Sequence, residues 1–286
     1  MTTRPEVSTA PARLGRLTRD PVALGSLVVV LLVVLVGIGA PYLAPRDPYT
    51  QNLPDRRAAP GGRFLLGADE FGRDVLSRVM YGAGLALRTA VVATGIGLVS
   101  GTLLGLCAGF FGGLLDDVIM RGMDVLLAFP YLLLAIAIVS ALGPGEVTTQ
   151  LAIGCWALPS FARLVRGSAL SLREREFVEA ARAQGAGALR IMARHVLPHA
   201  TWPLVAFATL FVARAILIEA ALSFLGLGAQ PPAASWGSMV ASGRDYLRIA
   251  PHIALAPGVA IAITVLAFNL LGDGLRLAFD PQRSQL

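Results

Sequence analysis

Lysine is absent from this chain, so all 24 of its basic residues are arginine. A P-loop that binds ATP uses the lysine of GxxxxGK[ST] to contact the phosphates. The chain therefore contains no P-loop of this kind. If a process in which this protein takes part consumes ATP, another polypeptide hydrolyses it.

Cysteine and histidine are also scarce, with two and three residues. Cys107 and Cys155 lie in apolar stretches, where cysteine usually acts as a small apolar side chain. The sequence therefore predicts neither a disulfide framework nor a metal cluster. The i,i+4 spacing of His195 and His199 permits metal binding, but we interpret the pair as an aromatic cap beside Pro198. No grouping of Ser, His and Asp indicates a catalytic site, and no cofactor is predicted.

Charged and aromatic residues make up only 15% and 7% of the chain, whereas hydrophobic residues make up 55% and the mean hydropathy is +0.68. This composition is too apolar for an ordinary soluble domain. The net charge is +6, but the arginines are scattered and few aromatic residues accompany them. That pattern favours contact with membrane lipid and does not indicate nucleic-acid binding.

Six charge-poor windows are long enough for transmembrane helices, each of which needs about 20 residues to cross a hydrocarbon core of about 30 Å. These windows run between Asp20 and Arg46, between Arg88 and Asp116, from about Val118 to Leu142, from Val147 past Arg163, from about Thr201 to Phe224, and from about Ile249 to Gly272. The third window carries Arg121 and Asp124 at its entrance. The sequence therefore predicts an all-α membrane protein with six transmembrane helices.

The distribution of arginine predicts the orientation. With the N-terminus inside the cell, the inner segments contain fourteen arginines and the outer segments nine. Since arginine-rich segments tend to remain in the cytoplasm, both termini are predicted to be cytoplasmic. The chain is divided into a cytoplasmic tail (1–20), a first transmembrane helix (21–45), an extracytoplasmic loop (46–85), a core of five transmembrane helices (86–275) with a cytoplasmic loop (168–199), and a cytoplasmic tail (276–286).

The first apolar run is interpreted as an uncleaved anchor and not as a secretory signal. It extends from Val22 to Ala44, which is longer than the hydrophobic region of a typical signal. Its small residues lead directly into Pro41, a poor context for cleavage. Residues 1–15 are predicted to be a disordered tail.

The segment from Arg173 to His199 is densely charged although it lies between apolar windows. Ser171 and Glu174 have the spacing of a capping box, and Gly185 suits the left-handed residue that follows a helix. Pro198 is predicted to end a second helix. We interpret this helix–turn–helix as a docking element for a soluble partner; the alternative is an amphipathic loop on lipid headgroups.

The same segment resembles the EAA loop of ABC importer permeases, in its Glu179-Ala180-Ala181, the following Gly185, and Leu197-Pro198. Other motifs resemble the C-type permease of dipeptide and oligopeptide importers: Leu66 to Arg78, Tyr81-Gly82, Gly109 to Gly113, Met120-Arg121 with Asp124, Phe129-Pro130, Glu219 to Gly228, Pro231-Pro232, Ser235 to Gly237, and Asn269 to Pro281. The chain departs from that pattern at three positions, Ala68, Gly84 and His199, where the family usually has Thr, Arg and Asn.

The resemblance implies a type I ABC importer permease of the bacterial plasma (inner) membrane, without catalytic activity of its own. Its implied partners are a second permease, two ATPase subunits and an extracytoplasmic substrate-binding protein. The EAA loop would form a coupling helix that inserts into a groove on the ATPase. The implied solutes are dipeptides or oligopeptides, with nickel or another non-peptide solute as the alternative. A proton-coupled secondary transporter and a membrane scaffold are rival classes.

Two further groups of residues are candidates for function. Arg214 and Glu219 are charges within or near the end of the fifth predicted span, where charge is unfavourable. Arg214 is interpreted as facing the translocation pathway or the companion permease and contributing to substrate preference or, equally, as the structural partner of a polar group in a neighbouring helix; Glu219 belongs to the resembled pattern. Pro231, Pro232 and Trp236 lie in an outer loop that in the resembled family meets the binding protein, while the alternative is a tryptophan anchored at the membrane interface.

Overall fold

The computed structural model describes residues 20–279. The predicted disordered tail, the N-terminal arginines and Pro281 therefore lie outside the described residues. Within the described part every regular element is helical, apart from one isolated β-bridge between Ala68 and Asp74. The predicted all-α class is confirmed.

Ten α-helices follow one another along residues 20–279: α1 (Pro21–Leu43), α2 (Val75–Phe111), α3 (Gly113–Ala128), α4 (Tyr131–Leu142), α5 (Glu146–Arg173), α6 (Glu176–Ala183), α7 (Ala188–Ile191), α8 (Leu197–Phe224), α9 (Trp236–Gly243) and α10 (His252–Phe279). Among these residues, four continuous helices are long and apolar enough to span a membrane, or five if the bent pair α3–α4 counts as one. The number six stays a prediction.

The third predicted span is not one straight helix, because α3 and α4 meet at an angle of 93°. Phe129 between them is extended, with φ −85° and ψ 136°. Extended backbone is the usual conformation before a proline, and Pro130 follows. The sequence predicted one continuous helix from about Val118 to Leu142, whereas the structure has two helices separated at Phe129 and Pro130.

The fourth predicted span continues past Arg163, as predicted, and ends at Arg173. Two of its three arginines pair with acidic residues of α3. Arg166 forms two hydrogen bonds with Asp116, at 2.6 and 2.7 Å. Arg163 lies 2.6 Å from an oxygen of Asp124.

A row of glycines on α2 brings α2 and α5 together. Gly97, Gly101, Gly105 and Gly109 recur every four residues, so they share one face of α2. A Cβ at Gly101 would lie 2.6 Å from the Cβ of Phe161, and one at Gly109 would lie 2.7 Å from the Cβ of Ala169. Residues later in α2 contact residues later in α5, so the two helices run parallel. Small residues permit this close approach.

Helix α2 begins at Val75, well before the predicted boundary at Arg88. The reason is a local cap: the Asp74 carboxylate accepts hydrogen bonds from the backbone N–H and the hydroxyl of Ser77, at 2.7 and 2.6 Å. Such a side chain satisfies the free amides of a first helical turn. The first turns of α2 therefore belong to the segment that was predicted as an extracytoplasmic loop.

An ionic cluster organises the segment before α2. The Asp69 carboxylate lies 2.6 Å from Arg73 and 3.4 Å from Arg78. Arg78 also donates to the carbonyl of Pro48 at 3.1 Å. His252, at the start of α10, lies 3.1 Å from the carbonyl of Ala68. The segment is thus folded against the first turns of α2 and α10.

Candidate functional site

Helix α6, which carries the predicted docking residues, is packed against the core on one face. Val178 on that face is 0% exposed, and Ala181 packs beside the same core. The guanidinium of Arg182 lies over the ring of Phe110, 5.3 Å from its centre. Because Phe110 is in the last turn of α2, this contact joins α6 to α2.

The turn after α6 has the geometry that the sequence predicted. Gly185 has φ +81°, and its N–H donates to the carbonyl of Arg182 at 2.9 Å. The next amide, of Ala186, donates to the carbonyl of Ala181 at 3.0 Å. A Cβ on Gly185 would meet no atom within 4 Å. Glycine is therefore favoured by the left-handed backbone and not by lack of space.

Two predicted boundaries of this segment are wrong. The predicted capping residues Ser171 and Glu174 do not begin α6, because α5 continues through Ser171; α6 begins at Glu176 without a side-chain cap. Pro198 does not end a helix but lies in the first turn of α8. A π-helical turn, Met192–Val196, leads directly into α8, and such a local change of helix geometry accommodates the backbone donor that proline lacks.

A second aromatic contact ties α6 to the start of α8. The ring of Phe177 stacks on His199 with centres 5.4 Å apart and planes 15° apart. His199 Nδ1 lies 2.6 Å from the carbonyl of His195. Both histidine rings contact Phe177, but they do not cap a helix end as predicted, because helical backbone continues through Pro198. Within residues 20–279 no group of three or more His, Cys, Asp and Glu residues could hold a metal.

The opposite face of α6 is open. Glu179, Ala180 and Ala183 are exposed there, as are Gly185 and Pro198. The carboxylate of Glu179 makes no ion pair or side-chain hydrogen bond in the described part of the chain. Leu197 is half-buried behind this face. Beside its small side chains this face carries two carboxylates without an ion pair in the described residues, Glu176 and Glu179.

The structure places Glu219 and Trp236 in the interior. Glu219 is 1% exposed, and its Oε1 accepts hydrogen bonds from Ser223 and Ser235 at 2.7 and 3.1 Å. Trp236 is 2% exposed, and its indole N–H donates to the carbonyl of Val79 at 2.9 Å. Both side chains tie the segment before α9 to neighbouring helices.

The burial of Trp236 corrects both interpretations of this residue, since each required an accessible indole. Pro231 and Pro232 in the same loop are exposed, so their predicted contact with a binding protein stays a prediction. The assignment of Glu219 to a translocation pathway also stays a prediction, although its two serine contacts are those of a structural group.

Arg214 is exposed on α8. Its guanidinium makes no hydrogen bond or ion pair with any residue between 20 and 279. Ten residues separate it from Phe224, the last residue of α8, which corresponds to about 15 Å along a helix. This is half the thickness of a hydrocarbon core of about 30 Å, so Arg214 lies near the middle of the predicted span.

Residues 101–285 match the family described as binding-protein-dependent transport system inner membrane component. The chain belongs to this family. Residues 13–60 match the N-terminal transmembrane domain of oligopeptide transport permease C. Together these matches identify an ABC importer permease of the peptide family, and the resemblance stated from the sequence is confirmed.

Relatives of this permease support the same assignment. It is 48% identical over 266 residues to the di/tripeptide transport system permease protein DppC of Pseudomonas aeruginosa, covering 91% of this chain and 88% of that protein. It is 43% identical over 268 residues to the glutathione transport system permease protein GsiD of Pectobacterium atrosepticum, covering 93% and 89%.

The fold of the permease is similar to that of a solved importer. The inward-facing methionine ABC transporter MetNI matches 71% of this chain and 97% of its own chain, with a TM-score of 0.56 and 22% identity. This likeness shows the shared fold of the helical core.

One polar contact of the permease could not be found from the sequence. Arg88 on α2 forms two hydrogen bonds with Glu146 at the start of α5, at 2.6 and 2.7 Å. The two residues are 58 positions apart, and no local pattern connects them. Their only signal in the sequence is that each is a charge at the edge of an apolar window.

Proposed function

We propose that this permease forms half of a translocation pathway for dipeptides or oligopeptides and couples it to ATPase subunits through α6. The observation that carries the proposal is the open face of α6, with a free Glu179 among small residues. Small side chains let the backbone of a partner approach closely, and the negative charge of Glu179 contributes to orientation. Of the predicted coupling residues, Glu179, Ala180, Gly185 and Pro198 would meet the ATPase, while Ala181 and Leu197 would support that surface from behind, since they pack against the core.

Two contacts between α6 and the core can transmit a movement of α6 to other helices. On one side Arg182 lies over Phe110 of α2; on the other, Phe177 stacks on His199 of α8. A displacement of α6 by an ATPase would therefore act on the inner ends of both helices. Packed side chains transmit such displacements because protein interiors are dense and not easily compressed.

A peptide-like solute is supported by the relatives. Two permeases with 48% and 43% identity are named for di/tripeptide and glutathione transport. Both similarities extend over about nine-tenths of this chain. The similarity therefore includes the whole helical core and not only the segment around α6.

Arg214 is proposed to face the pathway or the companion permease. A charge in the centre of a membrane helix is unfavourable by about 2.5–3.5 kcal/mol even on the mildest scale. Since Arg214 has no partner within residues 20–279, a polar surface outside this chain would relieve that penalty. Glu219 is proposed to support the same region from the interior, through the serines that it contacts.

The proposed complex contains a second permease and two ATPase subunits, and receives its solute from an extracytoplasmic binding protein. Pro231 and Pro232 are proposed to contact that binding protein, since they are exposed at an outer loop. We propose that the permease lies in the bacterial inner membrane with both termini and α6 in the cytoplasm, an orientation that the arginine bias supports.

Replacement of Glu179 by arginine tests the coupling role. In proteoliposomes that contain the complete importer, Glu179→Arg should reduce solute-stimulated ATP hydrolysis at least tenfold (about 1.4 kcal/mol), because the new positive charge opposes docking. The matched control is Glu174→Arg, which changes another exposed glutamate next to the same helix. Normal stimulation in a Glu179→Arg permease that inserts and assembles would refute the proposal.

A further inference from the structure

A cleft of about 840 Å³ opens at the outer end of the helical core. Its walls come from α1 and α2, and its rim includes Tyr49 and Ala233 of the outer loops and Glu146, the first residue of α5. This volume lies within the range of roughly 300–1,000 Å³ that is typical for small-molecule sites. The cleft is therefore large enough for a short peptide and opens on the side from which a solute would arrive.

The cleft contains one pair of opposite charges, Arg88 and Glu146. The Arg88 side chain is 62% exposed and that of Glu146 is 25% exposed. Glu146 is held by a second contact, because the side-chain amide of Gln150 donates to it at 3.0 Å. Arg88 has no other hydrogen-bond partner in the described part of the chain, so it is the member of the pair that is free to move.

This ion pair is not needed to hold its two helices together. The glycine row on α2 already packs against α5 below it, and Gly154 of α5 packs against Ile96 of α2. Exposed ion pairs contribute little to stability, because water screens them and long side chains lose freedom when they pair. The pair can therefore open without separating α2 from α5.

Two tyrosines add unused polar groups to the same cleft. The rings of Tyr49 and Tyr81 meet edge to face, with centres 5.9 Å apart. Neither hydroxyl makes a hydrogen bond with any residue from 20 to 279. Tyrosines with free hydroxyls offer both an apolar surface and hydrogen bonds to a bound solute.

We propose that this outer cleft is a binding subsite for the two charged ends of a zwitterionic peptide. The peptide carboxylate would replace Glu146 on Arg88, where a guanidinium can bind both oxygens. The peptide ammonium would take the place of Arg88 on Glu146. One ion pair would thus become two, and no charge would be left without a partner. In the absence of peptide, the two side chains satisfy each other.

The cleft is continuous with a second groove, which extends along α2 towards the proposed inner side of the membrane. The cleft shares Val91 and Phe268 with this groove of about 670 Å³, which continues between α2 and α8 as far as Leu197 and Thr201. A peptide released from the outer subsite would therefore meet a continuous surface along α2. The inference rests on the proposed peptide specificity of the permease.

The test compares three peptides that differ only in their ends: trialanine, N-acetyl-trialanine and trialanine amide. Their dissociation constants are measured by equilibrium dialysis on the complete importer in nanodiscs, without the binding protein. The wild type should bind trialanine about tenfold more tightly than either blocked peptide, because each charged end contributes a charge-assisted hydrogen bond. Arg88→Gln should remove the preference for a free carboxylate alone, and Glu146→Gln the preference for a free amino group alone.

The control variant is Arg163→Gln, which breaks an interhelical pair of similar exposure between α5 and α3. It should leave all three dissociation constants unchanged. Equal weakening of all three peptides by Arg88→Gln would overturn the inference and make the pair structural, as would unchanged preferences in both cleft variants. If the wild type binds none of the three peptides, the peptide specificity proposed for the permease fails together with the subsite.

Discussion

At the scale of single residues, Gly185 determines how α6 is presented. Its φ of +81° is unfavourable for any residue with a Cβ, by about 1–2 kcal/mol. Because a Cβ would meet nothing within 4 Å, a substitution here changes backbone preference without a steric clash. A substitution at this position therefore tests how the turn orients α6 without disturbing the packing of α6 against the core.

Gly185→Val should reduce solute-stimulated ATP hydrolysis by on the order of tenfold, since about 1.4 kcal/mol corresponds to a factor of ten. Membrane insertion should be unchanged. Gly187→Val is the control, because Gly187 is equally open but has φ −70°. Equal activity of the two variants would contradict the role that we assign to the left-handed turn.

Arg214 is the second residue whose surroundings lead to a prediction. Arg214→Gln should alter the relative uptake rates of acidic and neutral dipeptides in proteoliposomes, because it removes the charge that we propose to face the pathway or the companion permease. The yield of the co-purified complex should not fall. Arg248→Gln, in the exposed segment before α10, serves as control. If Arg214→Gln prevents assembly, then Arg214 is a structural partner of another subunit.

At the scale of elements, turns that depend on neighbouring residues could be predicted from the sequence, whereas contacts between residues far apart in the chain could not. The left-handed Gly185 follows from one residue and its neighbours. In contrast, Ser171 and Glu174 form no capping box, because α5 continues through Ser171 and ends only at Arg173. The two bonds between Arg166 and Asp116 join residues 50 positions apart. Such contacts depend on how helices pack, which a single sequence does not encode locally.

The parallel packing of α2 and α5 is testable with one methyl group. Gly101→Ala would place a Cβ 2.6 Å from that of Phe161, and overpacking of this kind usually destabilises by about 1–3 kcal/mol. Gly95→Ala, on the same helix, meets nothing within 4 Å and should be neutral or stabilise by up to about 1 kcal/mol. Thermal unfolding in detergent measures both effects. A lower midpoint for Gly95→Ala than for Gly101→Ala would contradict the described packing.

At the scale of the whole molecule, α6 contacts the two helices that border the groove across the core. Arg182 reaches α2 through Phe110, and Phe177 reaches α8 through His199. The same two helices line the groove that extends from the outer cleft. A force applied to α6 would therefore reach the walls of this groove through two short aromatic contacts.

Cross-linking from position 179 tests this central claim most directly. The experiment uses Glu179→Cys in a permease whose native Cys107 and Cys155 are replaced by alanine, within the complete importer in bacterial membranes. We expect a short thiol cross-linker to join position 179 to an ATPase subunit, and a membrane-impermeant thiol reagent to label it only from the cytoplasmic side. Labelling from outside the cell, or no cross-link to any ATPase subunit, would contradict the account.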